Sequence, residues 1–433
     1  MRIAWFNTVI TPEIGTYIAG YDFQSPSVTK LDDLYMSGLC LDDGNRKALL
    51  ISFDLLALDQ WYVNRVRKEC AEILGTDEAM ILLTCTHNHS GPEAATPLKP
   101  NDVMLNKPYV DWLEQKILEE VRNLHEFTEC EVAFYSSRCD ENRNRRYVTA
   151  DNCASFTPHR REVVPLALEY ADKEFGELCF FKIVNGRRMP LYVVGNYAAH
   201  PLAGHSPGLG CQRLSADYPG YFRDYVTKET GVGCMFISGA AGDMIPKEDE
   251  MGSEAAKNMG IRLGMAAIGG ICDSARNWNR FHIEDPVLGG SIKTFTVPIR
   301  RKYLDKVHEN YKGENGVTLE IQCLSIGDIC FVGVPGEVCA ELGQEIKWHS
   351  PFRKAFIAYY STADFSYIAP ANFLVSGGYE GSTQQFGSMG GFELVKTAVE
   401  CMFSLRESLH PLQPGEEPYP DNLDQPLVNI PKN

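Results

Sequence analysis

The sequence predicts an α/β chain: a single large domain with mixed β-sheets in the interior and helices outside. Three observations carry this. Short apolar runs rich in Val, Ile, Leu and Phe recur along the chain, too short for helices and without a polar face. Segments with helical spacing lie between some of them, giving strand, helix, strand successions. Other strands follow one another with no helix between, which fits mixed sheets and not an eightfold strand-helix barrel. With 433 residues the chain can bury a large core. No internal repeat or low-complexity linker divides it, so residues 1–433 are expected to form one domain, ending in a Pro-rich extended tail at 410–433.

Residues 3–10, 35–41 and 48–58 read as opening strands around a Gly-rich loop containing Gly15 and Gly20. Asp59 then precedes a helix whose Val63, Val66, Cys70, Ile73 and Leu74 recur at helical spacing, and Gly75 ends it. Residues 79–83 form a buried strand running into Thr86-His87-Asn88-His89-Ser90-Gly91-Pro92. Pro108 starts a helix with Val110, Leu113, Ile117, Val121 and Leu124 on one face. Strands follow at 131–136, 163–170, 178–184 and 191–197, and another at 235–238 ends in the Gly-rich turn Gly239-Ala240-Ala241-Gly242-Asp243. A long helix spans 254–272. Strands at 293–300, 317–324 and 329–334 lead to Pro335-Gly336-Glu337 at the head of a helix, and 355–360 is the last strand. Residues 362–385 read as a loop with little apolar periodicity, a length that tends to be functional. A helix at 392–405 closes the chain.

Composition narrows the function classes. A net charge of -16 and a pI near 5.1 argue against nucleic acid or an anionic membrane as the main partner, since both need clustered Lys and Arg. The segment Met1 to Asn7 lacks the apolar core and cleavage site of a signal peptide, and no apolar run approaches a membrane span. A soluble cytoplasmic protein without stable membrane association is expected. Fourteen cysteines, with no Cys-x-x-Cys pair, fit a reducing compartment better than a disulfide framework. Oligomeric state is left open.

On an extended backbone His87 and His89 project to the same side, so both are expected to face one pocket. One can bind a cation while the other hydrogen-bonds to what the cation holds, although a strand-end His pair is also ordinary polar surface. His200, before Pro201, repeats the pattern of a strand delivering a histidine to a proline and is a second candidate metal ligand. His205 reads as rim. Glu141-Asn142-Arg143-Asn144-Arg145-Arg146 is either a solvated turn or a source of one fixed cation for an oxyanion or carboxylate. Asp243 sits in a turn able to approach a ligand, or in an ordinary strand-to-helix turn. Glu337 is a hard-oxygen metal ligand or an acid favoured by a helix N-terminus.

In order, these motifs resemble the catalytic domain of the neutral ceramidase family, zinc-dependent amidases that cleave the N-acyl bond of ceramide. The resemblance rests on Thr86-His87-Asn88-His89-Ser90-Gly91-Pro92, Asn142-Arg143-Asn144-Arg145, His200-Pro201, Gly242-Asp243, Pro335-Gly336-Glu337 and Tyr379-Glu380-Gly381. It implies His87, His200, Glu337 and Tyr367 as zinc ligands, with His89, Arg145 and Tyr379 at the reacting carbonyl. Two imidazoles, a carboxylate and a phenolate suit Zn2+ and leave a position for water, whose pKa zinc can bring to about 7. The sequence departs from the family at Ile245, where the ceramidases place a serine implicated in catalysis and head-group binding. It also has Asn372-Phe373 in place of the usual Glu-Tyr, and no C-terminal β-sandwich domain is expected.

The reading that follows is a zinc-dependent hydrolase acting on a small-molecule amide or ester. A true ceramidase is the alternative within the class. A metal-containing binding protein that has lost catalysis is the alternative outside it.

Overall fold

The computed structural model describes residues 1–20, 25–95, 106–148, 154–155, 167–168, 170–204, 212–247, 251–304, 312–313 and 316–411. Among the described residues, three sheets of four or more strands carry the fold, and they share a design. In the first, Ile81–Cys85 runs parallel to Lys47–Phe53, followed by the antiparallel strands Tyr35–Asp42 and Arg2–Val9 and the short edge Thr128–Glu129. In the second, Gly233–Ser238 is parallel to Arg187–Tyr197, with Glu174–Val184 and Glu131–Arg138 antiparallel beyond it. In the third, Lys354–Ala358 is parallel to Ile329–Gly333, beside Gly316–Ile326 and Leu288–Val297.

A parallel pair needs a crossover connection, and in each sheet a helix supplies it. Gln60–Leu74 (α1) links the first pair, and Lys107–Arg122 (α2) packs beside it. Asp217–Thr230 (α3) links the second pair and packs on Ser253–Arg276 (α4), which runs into the short Trp278–Phe281 (α5). Ala340–Trp348 (α6) links the third. The inner faces of the sheets meet in one apolar core that includes Leu50, Leu82, Val194, Met235, Phe331 and Phe356, while the helices lie outside it. This is the mixed-sheet α/β architecture that the alternation of strands and helices predicts.

The three parallel edge strands end side by side. Thr84 Oγ1 donates to Tyr359 O at 2.6 Å, Tyr359 N to Ser238 O at 3.0 Å, and Ser238 Oγ to Thr86 O at 2.8 Å. Ring-like bonding of this kind brings three strand termini to one point, outside the carboxyl ends of the strands, where open α/β sheets bind ligands.

Several expectations change. Residues 54–58 leave the strand at Phe53. Glu337 is not at a helix head: Glu337–Val338 is a two-residue strand parallel to Tyr367–Ile368, and α6 begins at Ala340. The stretch 362–385 holds that strand and two single-turn helices, Ala371–Ser376 (α7) and Gly378–Thr383 (α8). Both are too short to show a periodicity, and Gly377 and Gly378 break the pattern between them. The closing helix, Gly390–Leu409 (α9), is longer than the 392–405 expected. Residues 163–166, His205 and 412–433 lie outside the described residues. No helix of the described residues is long and apolar enough to cross a membrane.

Candidate functional site

Each parallel pair contributes residues to one buried cluster. His87 follows the second strand of the first pair, yet not by continuing it: the strand stops at Cys85, and His87 has φ 64°. The two imidazoles therefore share a pocket through a left-handed kink and not through strand alternation. A left-handed residue with a Cβ is strained, and surrounding contacts must hold it. Here Tyr360, itself at φ 46°, stacks flat on the His87 ring, with centroids 4.5 Å apart and planes 9° from parallel.

His87 Nδ1 lies 3.2 Å from Leu56 O, and His200 Nδ1 lies 3.0 Å from Met244 O. A carbonyl oxygen only accepts, so both Nδ1 atoms carry the proton and both Nε2 lone pairs point inward. Glu337 Oε2 is 3.1 Å from His200 Nε2 and 3.5 Å from His87 Nε2. Three acceptors facing one another in a buried space need a proton or a cation between them. Two imidazole nitrogens and a carboxylate, each imidazole oriented by a backbone carbonyl, fit a divalent transition metal. Burial pushes the Glu337 carboxyl up, but the positive charge that His87 and His200 carry when protonated outweighs it and holds it well below the usual range. Tyr367, in strand register with Glu337, is buried, and both burial and the Glu337 charge push its hydroxyl up.

His89 belongs to the same cluster. Its Nε2 is 3.1 Å from His87 Nε2, and His87, His89 and His200 offer ligand atoms all within 4.8 Å of one another. Geometry alone thus sets His89 among the candidate ligands as well as beside the reacting position. Burial, then His87 and His200, hold its imidazole well below the usual value, so it is neutral at pH 7. Gly20 makes room for this ring: a Cβ there would lie 2.3 Å from His89 Nδ1.

The arginine segment is not a solvated turn. Asn142–Asn144 is a short strand paired with Met244–Pro246, and Arg145 and Arg146 are 4% and 1% exposed. Arg145 Nη2 donates to Gly242 O at 2.9 Å and to the Tyr367 hydroxyl at 3.1 Å, and its guanidinium lies 5.5 Å from the Tyr379 ring centroid. The Tyr379 ring meets that of Tyr367 edge-on at 5.4 Å and is 47% exposed, at the outer side of the cluster. Ile245 lies in the Met244–Pro246 strand, opposite Arg143.

Asp243 is used internally. Its carboxylate accepts from Ala340 N at 2.7 Å and Asn144 Nδ2 at 2.6 Å, which joins the arginine strand to the start of α6. Burial pushes its pKa up to about 6. Gly242 is required there, since a Cβ would meet Glu337 O at 2.8 Å. The sequence reading assigned no role to Glu380, Tyr360 or Gly20. Glu380 stood in a quoted motif and was the one of the three with a signal to follow.

No family model and no curated protein matches the sequence. Solved structures do match the fold. A neutral ceramidase from Pseudomonas aeruginosa superposes with a TM-score of 0.73 at 15% identity, over 95% of this chain and 75% of that one. A ceramidase complexed with C2 gives 0.74 at 14% identity, over 94% and 75%. At such identity the likeness speaks for the fold, and the chain has the neutral ceramidase fold.

Proposed function

We propose that the chain is a zinc-dependent hydrolase that directs water at the carbonyl of a non-peptide amide, or ester, in a small polar substrate. The observation that carries it is the buried meeting of two Nε2 lone pairs with the Glu337 carboxylate, with Arg145 held beside it. His87, His200, Glu337 and Tyr367 would hold the ion. When bound, zinc supplies Lewis-acid activation of water and carbonyl. The neutral His89 offers an N–H to the carbonyl oxygen, Arg145 offers fixed positive charge, and the Tyr379 phenol approaches from the exposed side. Losing one such donor typically costs ~100-fold or more in rate.

Substrate class is the finer question. Ile245 can neither attack nor hydrogen-bond, and the acidic chain does not favour an anionic bilayer, so a small polar substrate is preferred. The two ceramidases that share this fold favour a second reading, an N-acylsphingosine amidohydrolase. A zinc-loaded screen of short-chain ceramides, N-acyl sugars and N-acyl amino acids separates them. Turnover led by a polar amide is expected, and robust ceramide turnover would defeat that preference. A zinc-loaded protein inactive on every amide and ester, before and after His89→Ala, would mean a binding protein.

A further inference from the structure

We infer that Glu380 is a positioning residue: its carboxylate fixes the Arg145 guanidinium at the reacting carbonyl. This rests on the hydrolase reading.

Glu380 is fully buried and bridges two arginines. Its Oε1 accepts from Arg145 Nε at 2.6 Å and its Oε2 from Arg146 Nη1 at 2.9 Å. Arg146 is otherwise committed to the α7–α8 junction. Its Nη1 donates to Gly377 O, its Nη2 to Ser376 Oγ, and its guanidinium lies 3.5 Å from the Phe373 ring centroid. Arg145 donates through Nε to Glu380 and through Nη2 to Gly242 O and the Tyr367 hydroxyl. A guanidinium is a rigid planar fork, so bonds at Nε and Nη2 together set its plane. The Nε bond to Glu380 gives that plane a second point of attachment beside the Nη2 bonds. Two cations share this one carboxylate, so the triad of Arg145, Arg146 and Glu380 keeps one net positive charge, organised before any oxyanion forms.

The competing account is a buried counter-ion whose loss only destabilises the fold. A double-mutant cycle separates the two. Wild type, Glu380→Gln, Arg145→Lys and the double variant are compared as full-length, zinc-loaded protein. Glu380→Gln is expected to lower kcat by about 10- to 100-fold with KM within about threefold and zinc per chain unchanged. In the Arg145→Lys background the same change should add less than about twofold, because the residue acts through Arg145. An unchanged kcat per zinc-loaded chain, or equal losses in both backgrounds, overturns the inference.

Glu380→Asp keeps the charge with a shorter reach and covers the case in which the Gln variant does not fold. It should show an intermediate kcat loss, and wild-type kcat in a folded Asp variant would count against positioning. If wild type hydrolyses nothing, the functional reading fails by itself. Positioning is then read from 15N-arginine NMR, where the exchange protection of Arg145 Nε–H should vanish in folded Glu380→Ala, which leaves no side-chain acceptor there. Its persistence would refute the inference.

Discussion

His87 and His89 have divided roles under the proposed mechanism, and the residue scale is where that division is tested. His87→Ala should lose metal, whereas His89→Ala should keep metal and lose rate; the reverse result would exchange the assignments. Gly20→Ala probes the same ring without touching a ligand. Its Cβ would collide with His89 Nδ1, and φ 91° adds strain for any residue with a Cβ. Zinc content should stay at the wild-type level while kcat falls by about tenfold or more, the scale on which misplacing a catalytic group acts. The shared pocket of the two histidines was legible in the sequence, but its cause was not. Period-two alternation holds only while the backbone stays extended, and the strand ends two residues before His87. Nothing in a Thr-His-Asn-His string announces a left-handed histidine, because the Tyr360 ring that stacks on it arrives from the turn after a distant strand.

At the scale of elements, α8 is the part the sequence hid most completely. A six-residue helix cannot be stable alone, so its position must come from outside. Arg300 Nη1 donates to Gly381 O at 2.9 Å and Gln384 O at 2.8 Å, and Lys302 Nζ donates to Ser382 O at 2.8 Å. These donors satisfy carbonyls at the C-terminal end that a helix leaves unpaired. Meanwhile Glu380 holds the other side through the two arginines. Arg300→Met removes the largest share of the clamp. Chemical denaturation should show a loss of about 1–3 kcal/mol, the cost of leaving partly buried carbonyls without donors. If α8 presents Tyr379 to substrate, kcat should fall with zinc content unchanged; a stability loss with wild-type kcat would mean α8 holds its place without the clamp. By contrast, α1 and α2 were readable because each runs for several turns, with Gly75 ending the first at φ 67° and Pro108 opening the second.

The whole molecule explains why the site is assembled from positions far apart in sequence. Three strand-helix-strand units each end a parallel pair at the same point, and each supplies groups that complete one another. The first gives His87 and its orienting carbonyl at Leu56, the second His200 and that of Met244, and the third Glu337 beside Tyr367. Individual strands could be read from the chain, but their pairing order could not, since register and neighbour choice depend on contacts between distant segments. Gathering imidazoles in a buried centre has a cost that depends on pH. Burial holds His89 and His200 below the usual 6.5, in both cases with His87 adding to the effect. Below about pH 6.5 the unfolded chain therefore takes up protons that the folded chain refuses, and stability falls with pH. Glu337 acts with the same sign lower down: it stays ionised when folded, so its contribution is present above about pH 4.5 and lost as pH falls through its depressed folded value. Metal-free protein should accordingly show a melting temperature that declines from pH 7 to pH 5. His89→Gln, which removes one of the two refused protons, should flatten that decline, and saturating zinc should oppose it because the ion binds the folded state. Equal slopes for wild type and His89→Gln would show that His89 titrates as it does in the unfolded chain, and that the buried cluster opens to water when the metal is removed.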